Sequence, residues 1–204
     1  MIVGSVYGVV LNDREQNAGM MDAFGQKPYA APPKAPVLYI KPHNTLRLDG
    51  AAVPVPGELP EVEAAATIAL LFGDQLGVPV AAALALDVCE PHASYYRPAI
   101  RQRCRDGFLP MGSFVAYDLV ALTKSEILTL IDGVQVHRWS LERLVRAIPD
   151  LIADVTAFMT LADGDVLLIG LAGDAPRARV GQRIEVRHAA LPQLVTSFEQ
   201  EVLA

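Results

Sequence analysis

Hydrophobic positions along this chain fall in short runs bounded by turn residues, a spacing that predicts strands more than long helices. Residues 2 to 11 are β-branched and aromatic around small glycines and predict a first strand. A second is expected at Val37 to Lys41, and the run Ala64 to Phe72, apolar at nearly every position, predicts a strand buried on both faces. Val78 to Val88 is again apolar, and Pro79 argues against a long helix starting earlier. Ile127 to Ile131 and Val134 to Arg138 flank Asp132-Gly133, the signature of a hairpin with a two-residue turn. Ser140 can cap a helix running through Ala147, and Leu151, Ile152, Val155, Phe158 and Met159 form the stripe of a second helical segment, with Pro149 breaking the two or opening the second. Asp163-Gly164-Asp165 turns the chain into a strand at Val166 to Gly170, and a late strand is expected at Arg183 to Arg187. Between residues 12 and 36 the chain is polar and then rich in proline, which predicts a surface loop or lid with one short helix near Gly19 to Phe24. The pattern is that of an α+β, largely β, single domain spanning 1–204, without internal repeats.

Charge narrows the function classes. The chain has 17 basic and 23 acidic side chains, a formal net charge of −6, so its overall field repels nucleic acid and anionic membrane. Cys89 and Cys104 are too few for a disulfide framework, and Cys89 with His92 is a weak metal signal. The amino terminus lacks a basic leader and meets Asn12-Asp13-Arg14-Glu15 too soon to span a bilayer, which predicts a cytoplasmic protein.

Against this acidic background, Arg97, Arg101, Arg103 and Arg105 crowd into nine residues. On an extended backbone the last three would project to one side, forming either a carboxylate clamp with Arg97 or a solvated rim paired with Asp106, Glu90 or Asp118. Lys41, at the end of an apolar strand, is either a cleft residue or an ordinary strand-terminal charge. Of Tyr95 and Tyr96, one is expected in the core and the other, taken as Tyr96, at a pocket or interface. Asp87 lies inside an apolar run, so its carboxylate must meet a cation such as Arg105, hold a metal, or cap a turn. Trp139 is expected as a core or interface anchor.

Several segments resemble the fumarylacetoacetate hydrolase family: Val9-Val-Leu-Asn12, Pro36 to Leu46, Leu86-Asp87-Val88, Ser94-Tyr-Tyr-Arg-Pro98, Cys104 to Phe108 with Pro110, and Phe158 to Leu161 before Gly164-Asp165. They run in order through nearly the whole chain, and the tyrosine/arginine stretch is similar to one branch, the amino-terminal halves or subunits of isomerase/decarboxylases in homoprotocatechuate (4-hydroxyphenylacetate) breakdown. The resemblance implies a mixed, largely β fold, a magnesium or manganese ion held by two glutamates and an aspartate, and small oxo-acid substrates with several carboxylates. It implies catalytic roles for Lys41 and for Arg103, which stands where the family has a lysine, substrate-binding roles for Arg97, Arg101, Arg105 and Tyr96, and Asp87 as a metal ligand.

The chain departs from that pattern. The positions of the two metal glutamates hold Ala65 and Thr67, while Glu61 and Glu63 have the right mutual spacing but lie four residues early. The family's lid histidine falls at Gln16, an amide that takes no proton at neutral pH. The family's Gly-Thr-Pro turn reads Gly170-Leu171-Ala172, and the segment from Gly73 to Asp87 leaves little room for a helix. Two functions are expected. One is an isomerase or decarboxylase subunit acting on a 5-carboxymethyl-2-hydroxymuconate or 5-oxopent-3-ene-1,2,5-tricarboxylate type of substrate. The other is a non-catalytic structural partner of an active homologue, in a homodimer or in a heteromer with a carboxyl-terminal-type subunit.

Overall fold

The computed structural model describes residues 4–92 and 94–202. Strands β1 (Val6–Val10), β2 (Val37–Lys41), β3 (Leu46–Leu48), β4 (Val53–Val55), β5 (Val62–Phe72), β6 (Pro79–Cys89), β7 (Leu109–Met111) and β8 (Val115–Ala116) come from the first part of the chain. Then follow β9 (Ile127–Ile131), β10 (Val134–Trp139), β11 (Val166–Leu168), β12 (Arg177–Ala178), β13 (Arg183–His188) and β14 (Leu191–Gln200). Helices are short: α1 (Arg14–Gly19), α2 (Met21–Phe24), α3 (Ile100–Arg103), α4 (Leu119–Thr123) and α5 (Ile148–Thr156).

The larger sheet runs in the order β2-β1-β11-β5-β6-β7-β3, with β12 added to β5 and β8 to β6. The smaller runs β10-β9-β13-β14-β4. The sheets share one core, in which Ile68, Leu84 and Leu86 meet Ile127, Ile184, Leu194 and Phe198. The other face of the larger sheet closes on a second cluster, in which Val6, Ala69, Ala85 and Leu168 pack with Tyr39 and Leu46. Being covered on both faces explains the continuous apolar run of β5.

Tyr39 sits opposite Gly8 in the β1/β2 register. Its ring lies across β1 so closely that a Cβ built at Gly8 would overlap it. Glycine is therefore required by packing at this point of a buried strand, against its ordinary weakness there. Gly8→Ala is expected to destabilise the fold by about 1–3 kcal/mol by driving Tyr39 out of place; the midpoint of urea denaturation measures it, and an unchanged midpoint would contradict the packing described.

The strand reading from the sequence agrees with the structure at β1, β2, β5 and β6, and at β9 and β10, where Asp132 and Gly133 adopt positive φ of 51° and 81° in the turn. Residues 2 and 3 of the expected first strand lie outside the described residues. The strand expected at Val166 to Gly170 ends at Leu168. The expected helix from Ser140 to Ala147 is corrected: the Ser140 side chain caps only the 3-10 turn Leu141–Arg143. The second helix is α5, with Pro149 in its first turn and Leu151 and Val155 buried, while Phe158 is exposed beyond its end. Trp139 is a core residue. No helix among the described residues is long and apolar enough to cross a membrane.

Candidate active site

Two strands, β2 and β6, and the short helix α3 bring four side chains together. Asp87, fully buried on β6, receives Arg103 Nη1 at 2.8 Å and stands 3.2 Å from Lys41 Nζ through the same Oδ1. The Tyr39 hydroxyl donates to Oδ2. Tyr39 and Lys41 are two apart on β2 and so share a face, which delivers both to Asp87. The Arg103 guanidinium carbon lies 5.0 Å from the centroid of the Tyr39 ring, within cation–π range.

Burial is the first cause of the unusual titration here. It pushes the Tyr39 hydroxyl well above its ordinary pKa, and the Asp87 charge pushes the same way. It lowers Lys41, with Asp87 opposing. Burial also acts against the Arg103 charge, but Asp87 and then Tyr39 outweigh it, so the guanidinium is held in its charged form more firmly than usual. Burial likewise pushes the Cys89 thiol up to about 12, which leaves it an unreactive thiol.

Lys41 is fully buried and does not open into the cavity. Its ammonium donates to the carbonyls of Val88, Arg103 and Phe108 at 3.0, 2.8 and 2.9 Å, which uses all three protons. It is a brace joining β6, the end of α3 and the approach to β7.

The arginines also depart from expectation. Ile100 to Arg103 is helical, so alternation no longer sends three guanidinium groups to one side. Arg101 is exposed with Glu90 at 3.8 Å, and Arg105 bonds Glu90 at 3.0 Å and Glu58 at 3.2 Å. Arg103, and not Arg105, is the cation that meets Asp87. Arg103 and Arg97 line a cavity of about 380 Å³ walled by Tyr39, His92, Tyr95, Tyr96 and Ile100 among others. Both tyrosines face it; Tyr96 is exposed, while Tyr95 is held by Gln16 Nε2 on its hydroxyl at 2.8 Å and by the Tyr29 hydroxyl on its backbone N–H at 2.7 Å.

Gln16 reaches Tyr95 from α1, whose foot is clamped. Asp13 caps α1 at Glu15 N and, fully buried, accepts from Arg143 Nη2 at 2.6 Å and from Gly173 N at 2.7 Å. Arg143 also bonds Asp174 at 2.8 Å, and those bonds hold the Asp174 carboxyl at about 2.

The donor set does not fit magnesium or manganese. A hard divalent cation needs several oxygens, but Asp87 already serves two cations and a phenol. Its cross-strand neighbour Ala65 has no donor, and the Thr67 hydroxyl is spent on Gly170 O at 2.7 Å. Glu61 lies outside β5, ion-paired with Arg177 and with Arg179 at 3.6 Å. Glu63 is on β5, opposite Cys89, with Arg103 and Asp87 acting on it electrostatically. Among the described residues no cluster of three His, Cys, Asp or Glu side chains is arranged to hold a metal ion. A guanidinium occupies the cationic position beside Asp87.

Tyr39 escaped the sequence reading although its i, i+2 relation to Lys41 was a usable signal. The clamp of Asp13, Arg143 and Asp174, drawn from distant parts of the chain, had none.

Comparison with known proteins places this geometry. Residues 5–199 match the family model "Fumarylacetoacetate (FAA) hydrolase C-terminal". The chain is 38% identical over 205 residues to the 4-hydroxyphenylacetate degradation bifunctional isomerase/decarboxylase of Escherichia coli, covering 94% of this chain and 46% of that protein. It thus spans about half the length of that relative. It is 23% identical to a mitochondrial oxaloacetate tautomerase of Arabidopsis thaliana, covering 84% of each. Among solved structures, 5-carboxymethyl-2-hydroxymuconate delta-isomerase from Mycobacterium smegmatis superposes with a TM-score of 0.81 at 20% identity, covering 100% of this chain and 81% of that one. Fumarylpyruvate hydrolase from Pseudomonas aeruginosa, in complex with Mn2+ and pyruvate, has a TM-score of 0.78 at 18% identity, covering 98% and 91%. With the mixed sheets, the buried Asp87 and a family match over nearly its whole length, this chain belongs to the fumarylacetoacetate hydrolase family.

Proposed function

We propose that this chain is an isomerase/decarboxylase-type subunit of 4-hydroxyphenylacetate catabolism that binds a small oxo-polycarboxylate in the cavity beside Arg103. The observation that carries the reading is the buried Arg103, fixed on one side by Asp87 and lining the cavity on the other. A guanidinium presents its donors as a planar fork that matches an oxo-carboxylate, and one anchored by a carboxylate loses little freedom when it binds. Arg97 at the cavity wall takes a second carboxylate of the substrate, and Tyr96 packs beside it. In a proton shift, negative charge grows on the oxo oxygen, and Arg103 stands to stabilise it without reorganising. The relationship to the bifunctional isomerase/decarboxylase of E. coli supports the substrate class. Two free cysteines fit a cytoplasmic setting.

A second reading follows from the saturated Asp87: the chain acts as a non-catalytic partner that positions an active homologue, as a homodimer or in a heteromer with a carboxyl-terminal-type subunit. Its span of 46% of the E. coli relative fits such pairing. Ultraviolet assay of the purified chain with 5-carboxymethyl-2-hydroxymuconate separates the two. Turnover by the chain alone is expected. Turnover only after a homologue with an intact Glu-x-Glu is added would favour the partner reading, and neither turnover nor binding in any combination would defeat the substrate class.

A further inference from the structure

We propose that the His92 imidazole is the proton-transfer residue of this cavity, working beside the Arg103 guanidinium; this rests on the substrate class argued above. His92 lies just past the end of β6, so the strand that carries Asp87 also delivers His92 to the cavity wall, where Arg97 and Arg103 stand as well. The other histidines lie elsewhere: His137 bonds Asp174, His188 bonds the Leu122 carbonyl, and His43 lines a separate hollow. The His92 ring is oriented from two sides. Its Nδ1 lies 2.9 Å from the Ser94 carbonyl oxygen, and the ring packs edge-on against Tyr95 with centroids 5.3 Å apart. A carbonyl can only accept, so Nδ1 carries the proton and the neutral imidazole keeps a bare lone pair on Nε2. That nitrogen makes no hydrogen bond or ion pair among the described residues.

The remaining ionisable groups of the wall do not suit the task. Guanidinium groups do not release their protons, and phenols and thiols ordinarily hold theirs at neutral pH. Tyr39 is committed to Asp87, and burial raises the Tyr39 and Tyr95 hydroxyls and the Cys104 thiol further. In His92, burial and then Arg103 lower the pKa, with the Ser94 carbonyl and Glu90 opposing, so the imidazole is neutral at pH 7 and able to accept.

The step is redox-neutral and needs no co-reactant. The O–H bond of the substrate's 2-hydroxyl breaks and its proton passes to Nε2, forming the imidazolium. The oxygen's electron pair becomes the carbonyl π bond, and the diene π electrons shift along the chain to the far carbon. There the imidazolium returns a proton as a new C–H bond, so His92 ends neutral, as it began. Arg103 stabilises the dienolate charge in between.

The test is the isomerisation of 5-carboxymethyl-2-hydroxymuconate in D2O by wild type, His92→Asn and His92→Ala. The asparagine amide can still donate to the Ser94 carbonyl, so His92→Asn removes the base while keeping the bond that shapes the wall. It is expected to lower kcat by about 10²-fold or more, with little change in KM and loss of enzymic deuterium delivery to the far carbon. Wild-type kcat should fall on the acid side as the imidazole protonates, below the ordinary histidine range, and that limb should vanish in His92→Asn. Imidazole added to His92→Ala should restore part of the rate, which a merely structural role would not give. Wild-type kcat in a folded variant, an acid limb that survives the substitution, or a deficit that imidazole leaves unchanged overturns the proposal while leaving the substrate class intact. A wild-type chain that binds the substrate without isomerising it overturns the proposal too. A chain that neither binds nor turns over the substrate defeats the functional reading on which it stands.

Discussion

Replacing Asp87 with alanine is expected to lower the unfolding free energy by about 3–5 kcal/mol. The reason is the company left behind. Lys41 and Arg103 have side chains 0% and 5% exposed, and Asp87 is the carboxylate between them. Without it, two like charges remain buried with no counter-ion, and the Tyr39 hydroxyl loses its acceptor. Urea denaturation of the purified variant measures the loss. Adding Arg103→Met should restore part of it, because the remaining Lys41 cation is still solvated by three carbonyls. A single variant within about 1 kcal/mol of wild type would mean the cluster is not the electrostatic centre described.

Arg103→Lys is expected to lower kcat/KM for the hydroxymuconate by about 10²–10³-fold while leaving a folded protein. The substitution keeps the positive charge that Asp87 requires. What it removes is the planar fork, by which one edge grips Asp87 while the rest of the group faces the cavity. An ammonium replacing it is a point charge that cannot serve both partners with the same geometry. Thermal melting and ultraviolet turnover on the same preparation separate the two effects. A kcat/KM within roughly threefold of wild type would remove Arg103 from the reaction and favour the structural-partner reading.

How far the sequence spoke depended on the range of the interaction. Period-two and apolar runs exposed β5, β6 and the β9/β10 hairpin, because burial on one or both faces writes itself into adjacent residues. β14, the ten-residue strand Leu191–Gln200, was missed because its buried and exposed positions alternate irregularly, through proline and polar side chains. The arginine stretch shows a different failure. Arg101, Arg103 and Arg105 alternate in sequence, yet Ala99 to Cys104 coils into a single helical turn and sends Arg103 alone inward. There Arg103 meets the buried Asp87 carboxylate on β6, a tertiary contact that local spacing does not carry. A carboxylate in an apolar run must find a cation, and only the fold supplies the identity of its partners, Arg103 and Lys41. That Ala65 and Thr67 carry no carboxylate is legible directly, and the Thr67 hydroxyl is spent on the backbone of Gly170.

Lys41 ties three segments of backbone together with its own three protons, beside the cavity but closed off from it. The structure thus separates a cation sealed into the backbone, Lys41, from a cation that lines the cavity, Arg103. A lineage could rewrite the second, changing charge, reach or chemistry at position 103, and still inherit the same walls. For an engineer the practical reading is similar: selectivity should be sought by varying residues 97 and 103, with position 41 left untouched.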